Sequence, residues 1–167
     1  MSRRLILTRH AKSDWDDLTV DDHDRVLNAR GQTSATAIGR WLSDRGYVPD
    51  VACVSTASRA VETWEGIRTA LGAKVVVDLR RELYLSSPDT LLEVLSDQTA
   101  QTVMMVAHNP GMGSLAQLLA EDPPQREAFD RFPTCATLVM EFDTTDWHIE
   151  PLTGRVVDFV VPRDLTD

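Results

Sequence analysis

Apolar and polar positions along the chain alternate between two periods. Short runs that are apolar throughout, suited to strands buried on both faces, precede stretches where apolar residues recur every three or four positions. The first run is RLILT (4–8). After an acidic stretch, Ala35, Ile38 and Leu42 share one face of GQTSATAIGRWLSDRG, and Gly46 stands where that helix stops. DVACVS (50–55) reads as a second strand, entering a helix over 58–71 that ends at Gly72. AKVVVD (73–78) is a third strand, and SPDTLLEVLSD is a helix with Pro88 in its first turn. TVMMVA (102–107) is a fourth strand, leading into a helix over 111–120. The tail segments ATLVMEF, DWHIEP and GRVVDFVV read as strands joined by tight turns, one at Thr153-Gly154.

Strand–helix alternation with continuously apolar strands predicts an α/β fold: a three-layer sandwich with a mainly parallel central sheet, helices on both faces and an antiparallel C-terminal edge. Nothing in the pattern marks a repeat or a linker, so residues 1–167 are expected to form a single domain. EDPPQREAFDRFP (121–133) is a long connection that either lies near a site or closes the fold.

Charge narrows the functions. The formal net charge of −9 argues against a nucleic-acid or anionic-membrane partner, each of which needs a dense basic face. No apolar stretch reaches membrane-spanning length. Cys53 and Cys135 are far apart and form no CxxC pair, which suits a reducing, cytoplasmic setting. Separately, a monomer without cofactor or metal is expected. Any anion this chain binds must be small and must meet a local positive pocket.

The basic residues fall where such a pocket would form. In an open α/β sheet, ligands bind beyond the carboxyl ends of the strands. The first strand ends in Arg9-His10, the second runs into Arg59 with Ser58 as its expected N-cap, and the fourth ends in His108 before Pro110 and Gly111. Two arginines, two histidines and two helix N-termini converging on one point would hold a small dianion. A neutral imidazole there can attack phosphorus, while arginines neutralise the oxygens. No GxxxxGK phosphate loop and no GxSxG elbow is present.

RHAKSDWD, STASRAVET and VAHNPGM, in that order and spacing, resemble the histidine phosphatase superfamily and its small SixA-like phosphohistidine phosphatase branch. DRVLNARG and FVVPRDL extend the resemblance over nearly the whole chain. The resemblance implies that His10 is the nucleophile of a covalent phosphohistidine intermediate, with Arg9, Arg59 and His108 completing the phosphate pocket and Ser13 as its hydroxyl residue. Ala11 replaces the commoner Gly of the motif, and Asp16 stands where many members have Asn; a carboxylate there would repel phosphate, so Asp16 is left out of the set.

Glu82 in RRELY is either a general acid or a surface ion-pair partner of Arg80 or Arg81. His23 and His148 read as ordinary, the latter on an edge strand; Arg25 and Arg30 either lean toward the site or, for Arg30-Gly31, open a helix capped near Asn28. The expected activity is that of a metal-independent phosphatase acting on phosphohistidine in a protein. A small-metabolite phosphomonoesterase and a catalytically silent phosphate-binding or interaction module are the alternatives.

Overall fold

A computed structural model describes residues 1–166. Six strands form one sheet in the order β3-β2-β4-β1-β5-β6. They are β1 (Ser2–Arg9), β2 (Val51–Ser55), β3 (Val76–Arg80), β4 (Thr102–Ala107), β5 (Thr137–Asp143) and β6 (Arg155–Val160). The first four pair in parallel, and β5 and β6 add an antiparallel edge. The expected sandwich is the observed one.

Strand periodicity sorts side chains between the two faces. Leu5 and Leu7 of β1, Val103 and Met105 of β4, and Cys53 of β2 enter one core. That core lies beneath α3 (Pro88–Ser96), α4 (Gly111–Leu119) and α5 (Glu127–Arg131). Ile6, Met104, Val106 and Val54 point the other way, against α1 (Ala29–Arg45) and α2 (Ser58–Leu71). A short α6 (Pro162–Leu165) follows β6. The helix stops fall as expected, at left-handed Gly46 and Gly72.

Three local expectations are corrected. DWHIEP is not a strand: the Asp146 carboxylate accepts the His148 amide and Thr144 Oγ1 accepts that of Asp146. Those turns consume the backbone donors a strand would use, while Trp147 is buried and donates Nε1–H to the Ala100 carbonyl. His148 therefore sits on a loop. The N-cap of α2 is Ala57 rather than Ser58, and no side chain caps it. The third strand begins at Val76, with Val76 and Leu79 exposed on an edge.

The segment after β1 is held from two sides. Thr63 Oγ1 accepts the Ala11 amide, and Gly31 of α1 packs on the backbone of Lys12, where a Cβ would overlap the carbonyl oxygen. Gly31→Ala is therefore expected to destabilise the fold by about 1–3 kcal/mol, as overpacking does, and to lower the urea midpoint accordingly. An unchanged midpoint would show that the loop yields freely.

Candidate active site

The carboxyl ends of β1, β2 and β4 meet at a cleft of about 400 Å³ lined by Arg9, His10, Ser13, Arg59 and His108, together with Asp22 and Arg25. The structure thus brings together every sequence-predicted site residue except Glu82. Larger clefts of about 550 and 590 Å³ run along α1 but contain no histidine or cysteine.

His10 is fixed at the end of β1, where its amide donates to the Ala107 carbonyl of β4. Its Nδ1 lies 2.7 Å from the Ala11 carbonyl oxygen. A carbonyl only accepts, so Nδ1 carries the proton and Nε2 keeps its lone pair. Burial lowers the His10 pKa from 6.5 to about 4; the Ala11 hydrogen bond opposes this, and Arg59, Arg9 and Arg25 add to the lowering. At neutral pH the imidazole is uncharged with a free lone pair.

His108 lies with its ring centroid 5.1 Å from that of His10. Its Nε2 is 2.8 Å from Ser55 Oγ at the end of β2, and its Nδ1 is buried without a protein partner. Burial, with His10 and Arg59 adding, lowers its pKa to about 3. His108 therefore brings a hydrogen-bonding edge to the cleft rather than a positive charge. Tyr84 stands edge-on to its ring at 5.4 Å.

The arginines carry the charge. Arg59, in the first turn of α2, is only 2% exposed, and Arg9 donates to the Phe132 carbonyl at 3.2 Å. The Nε atoms of Arg9, Arg25 and Arg59 are buried and unpartnered within the protein. Arg25 donates to the Ser13 hydroxyl in a short hydrogen bond, and its guanidinium lies 3.6 Å from the Trp15 ring centroid.

Asp22 holds this group together. It accepts from Arg25 at 2.9 Å and Arg59 at 3.0 Å, and from the Tyr84 hydroxyl in a short hydrogen bond, while its own carbonyl accepts from Arg59 at 2.7 Å. The Tyr84 hydroxyl, followed by Arg25 and Arg59, holds its carboxyl well below the usual carboxylate range. Asp22 is half exposed but ionised.

In the sequence Asp22 is one residue of an acidic stretch with no role assigned to it, whereas Arg25 is read as leaning toward the site, where it lies. The i, i+3 spacing of Asp22 and Arg25 was the available signal. Arg59 pairs with Asp22. His23 Nε2 is 2.9 Å from Thr56 Oγ1, and its ring packs edge-on to Tyr84. Among the described residues, no three of His, Cys, Asp and Glu are grouped to hold a metal ion. Arg30 lies in the opening turn of α1, where Asn28 caps the Gly31 amide at 2.8 Å.

Glu82 is not at the site. It lies in a 3₁₀ turn (Arg81–Leu83), half exposed, 3.5 Å from Arg80. The ion-pair alternative is the one observed, because the end of β3 is the outer edge of the sheet. Asp16 lines none of the cleft. Cys53 and Cys135 are buried free thiols, pushed up to about 12 by burial.

Comparison with known proteins points to one family. The model of the histidine phosphatase superfamily (branch 1) matches residues 5–84. An uncharacterized protein of Mycobacterium leprae is 34% identical over 167 residues, covering 93% of this chain and 99% of the relative. A solved structure from Agrobacterium tumefaciens, assigned as the phosphohistidine phosphatase SixA, superposes with a TM-score of 0.78 at 30% identity, covering 96% of this chain and 98% of that one. A Nakamurella multipartitia structure with the same assignment gives 0.77 at 29%, covering 97% of each chain.

Because His10 and His108 stay neutral in the folded protein, the unfolded chain takes up protons first as the pH falls. Stability is therefore expected to decline as pH drops from about 6.5 toward 3, and the histidine contribution to level off below that. Ring proton shifts should show both imidazoles neutral at about pH 5.5. Titration of either ring near 6.5 would show that burial does not govern them.

Proposed function

The chain belongs to the SixA-like branch of the histidine phosphatase superfamily and is a phosphatase; from that premise we propose that it removes the phosphoryl group from phosphohistidine in a protein, through a covalent intermediate on His10. The observation that carries the choice of leaving group is that no protonated carboxyl or imidazole lines the cleft among the described residues. Asp22 is the one carboxylate lining the cleft among the described residues, and Tyr84, Arg25 and Arg59 keep it ionised. His108 is neutral as well. An alkoxide leaving group needs a proton in the transition state, a requirement worth about 10²–10⁴-fold. A phosphoimidazole already protonated on its far nitrogen departs as neutral imidazole without one.

In the first step the Nε2 lone pair of His10 forms a bond to phosphorus. The bond from phosphorus to the substrate imidazole breaks with its electron pair going to that imidazole. Arg9, Arg25 and Arg59 neutralise the phosphoryl oxygens, with Ser13 and His108 supplying hydrogen bonds. Phosphorylated His10 is then a phosphoimidazolium, its positive charge shared with the Nδ1–H that Ala11 accepts. Water attacks phosphorus, the N–P bond breaks, and neutral His10 and dihydrogen phosphate result. No metal or cofactor takes part, and the two buried free thiols fit a reducing cytoplasm.

Turnover of a phosphohistidine peptide in EDTA is expected to fall roughly 10³-fold or more in His10→Ala, and less than about twofold in Glu82→Gln. The rate should be flat from neutral pH down to about 5 and drop as His10 protonates near 4. Faster hydrolysis of an alkyl ester, with strong dependence on Glu82, would transfer the assignment to a metabolite phosphomonoesterase. Wild-type activity no greater than that of His10→Ala on either substrate would leave a binding module.

A further inference from the structure

A second cleft, of about 410 Å³, opens beside the first between the start of α1, α5 and α6. Lys12, Arg30, Arg126, Arg131 and Arg163 line it, with Asp164 as its one acid. The chain carries 26 acidic and 17 basic residues, so five cations on one cleft reverse the local sign of an acidic surface. Lys12 and Thr134 line both clefts, which makes the two continuous.

Internal pairing does not account for these charges. Asp164 is committed to Arg126 through two hydrogen bonds of 3.1 Å, and Arg131 reaches Glu127 only at 3.7 Å. Lys12, Arg30 and Arg163 have no carboxylate partner among the described residues. The character of the two clefts also differs. Arg25 and Arg59 are buried and rigidly tied, as suits one compact dianion, whereas all five cations of the second cleft are solvent-exposed and only Arg126 among them is held in place, by Asp164. An exposed ion pair is weak, so such a surface gains affinity only when several anions arrive on one molecule.

We propose that this second cleft binds a run of acidic side chains flanking the phosphorylated residue of a protein substrate, seating the polypeptide while the phosphoryl group enters the cleft at His10. The proposal rests on the phosphohistidine reading for the identity of the substrate, and on the five cations for its charge. The acidic stretch from Asp14 to Asp24 lies on the Trp15 and Asp22 side of the phosphate cleft. It repels the same acidic segment and so fixes its direction.

The test uses two phosphohistidine peptides, one flanked by glutamates and one by glutamines, with wild type and Arg30→Ala/Arg163→Ala. Neither arginine touches the phosphate cleft. Wild type is expected to favour the glutamate peptide by about 10-fold in kcat/KM, through KM, and to lose the preference in about 0.5 M salt. The double variant should fall to a preference of about twofold or less, with turnover of the glutamine peptide unchanged. Equal KM values in wild type, or a preference intact in the variant, would overturn the proposal. So would a variant effect seen only on phosphoglycerate relative to glycerol phosphate, which would assign the cleft to a small carboxylate. A fluorescently labelled, unphosphorylated glutamate-rich peptide should also bind the protein, read by anisotropy, with Kd about 10-fold higher in the variant. That binding reads the cleft even where neither phosphohistidine peptide is hydrolysed, an outcome that removes the substrate reading alone.

Discussion

Guanidinium groups gathered at the mouth of one sheet repel each other, and the carboxylate of Asp22 is the counter-charge that lets Arg25 and Arg59 stay there. Its two oxygens are divided between Arg25 on one side and Arg59 with Tyr84 on the other. Asp22 belongs to the segment leaving β1, Arg59 opens the helix after β2, and Tyr84 follows β3. One ionised side chain therefore fastens three crossovers of the sheet at the level of the site. The imidazoles behave as this arrangement requires. Burial keeps both uncharged and the adjoining arginines reinforce it, so positive charge stays on groups that cannot lose it.

The sheet converts these distant residues into neighbours. β1, β2 and β4 are adjacent and parallel, so their carboxyl ends share one edge. Backbone and hydroxyl contacts then set each side chain within that edge. Ser55 meets His108, Thr63 accepts from Ala11, and the Phe132 carbonyl accepts from both Arg9 and Asn109. Phe132 and Cys135, both with positive φ, turn the chain ahead of β5 so that the connection after α4 can reach the cleft.

What the sequence made legible follows from local physics. Buried strands and amphipathic helices announce themselves by period, and Arg9, His10, Arg59 and His108 stand at strand ends where topology alone brings them together. Asp22 was hidden because its one local signal, the i, i+3 spacing to Arg25, does not by itself mark a site; its role comes from Arg59, 37 residues away. Glu82 and Ser58 failed for a related reason. A carboxylate after an edge strand and a serine before a helix are both plausible by type, and only the placement of β3 and the backbone at Ala57 decides them. DWHIEP alternates like a strand, yet Asx-type turns and the anchored Trp147 outweigh its pattern.

The bond that orients His10 has a further consequence. Imidazoles are often held in one tautomer by a carboxylate side chain, which a single substitution can delete. Here the acceptor is the main-chain carbonyl of Ala11. A peptide oxygen is encoded by no particular codon, so every replacement at position 11 that preserves the turn preserves the acceptor. The feature that keeps the His10 lone pair free is thus shielded from mutational drift, while the charged groups around it are not.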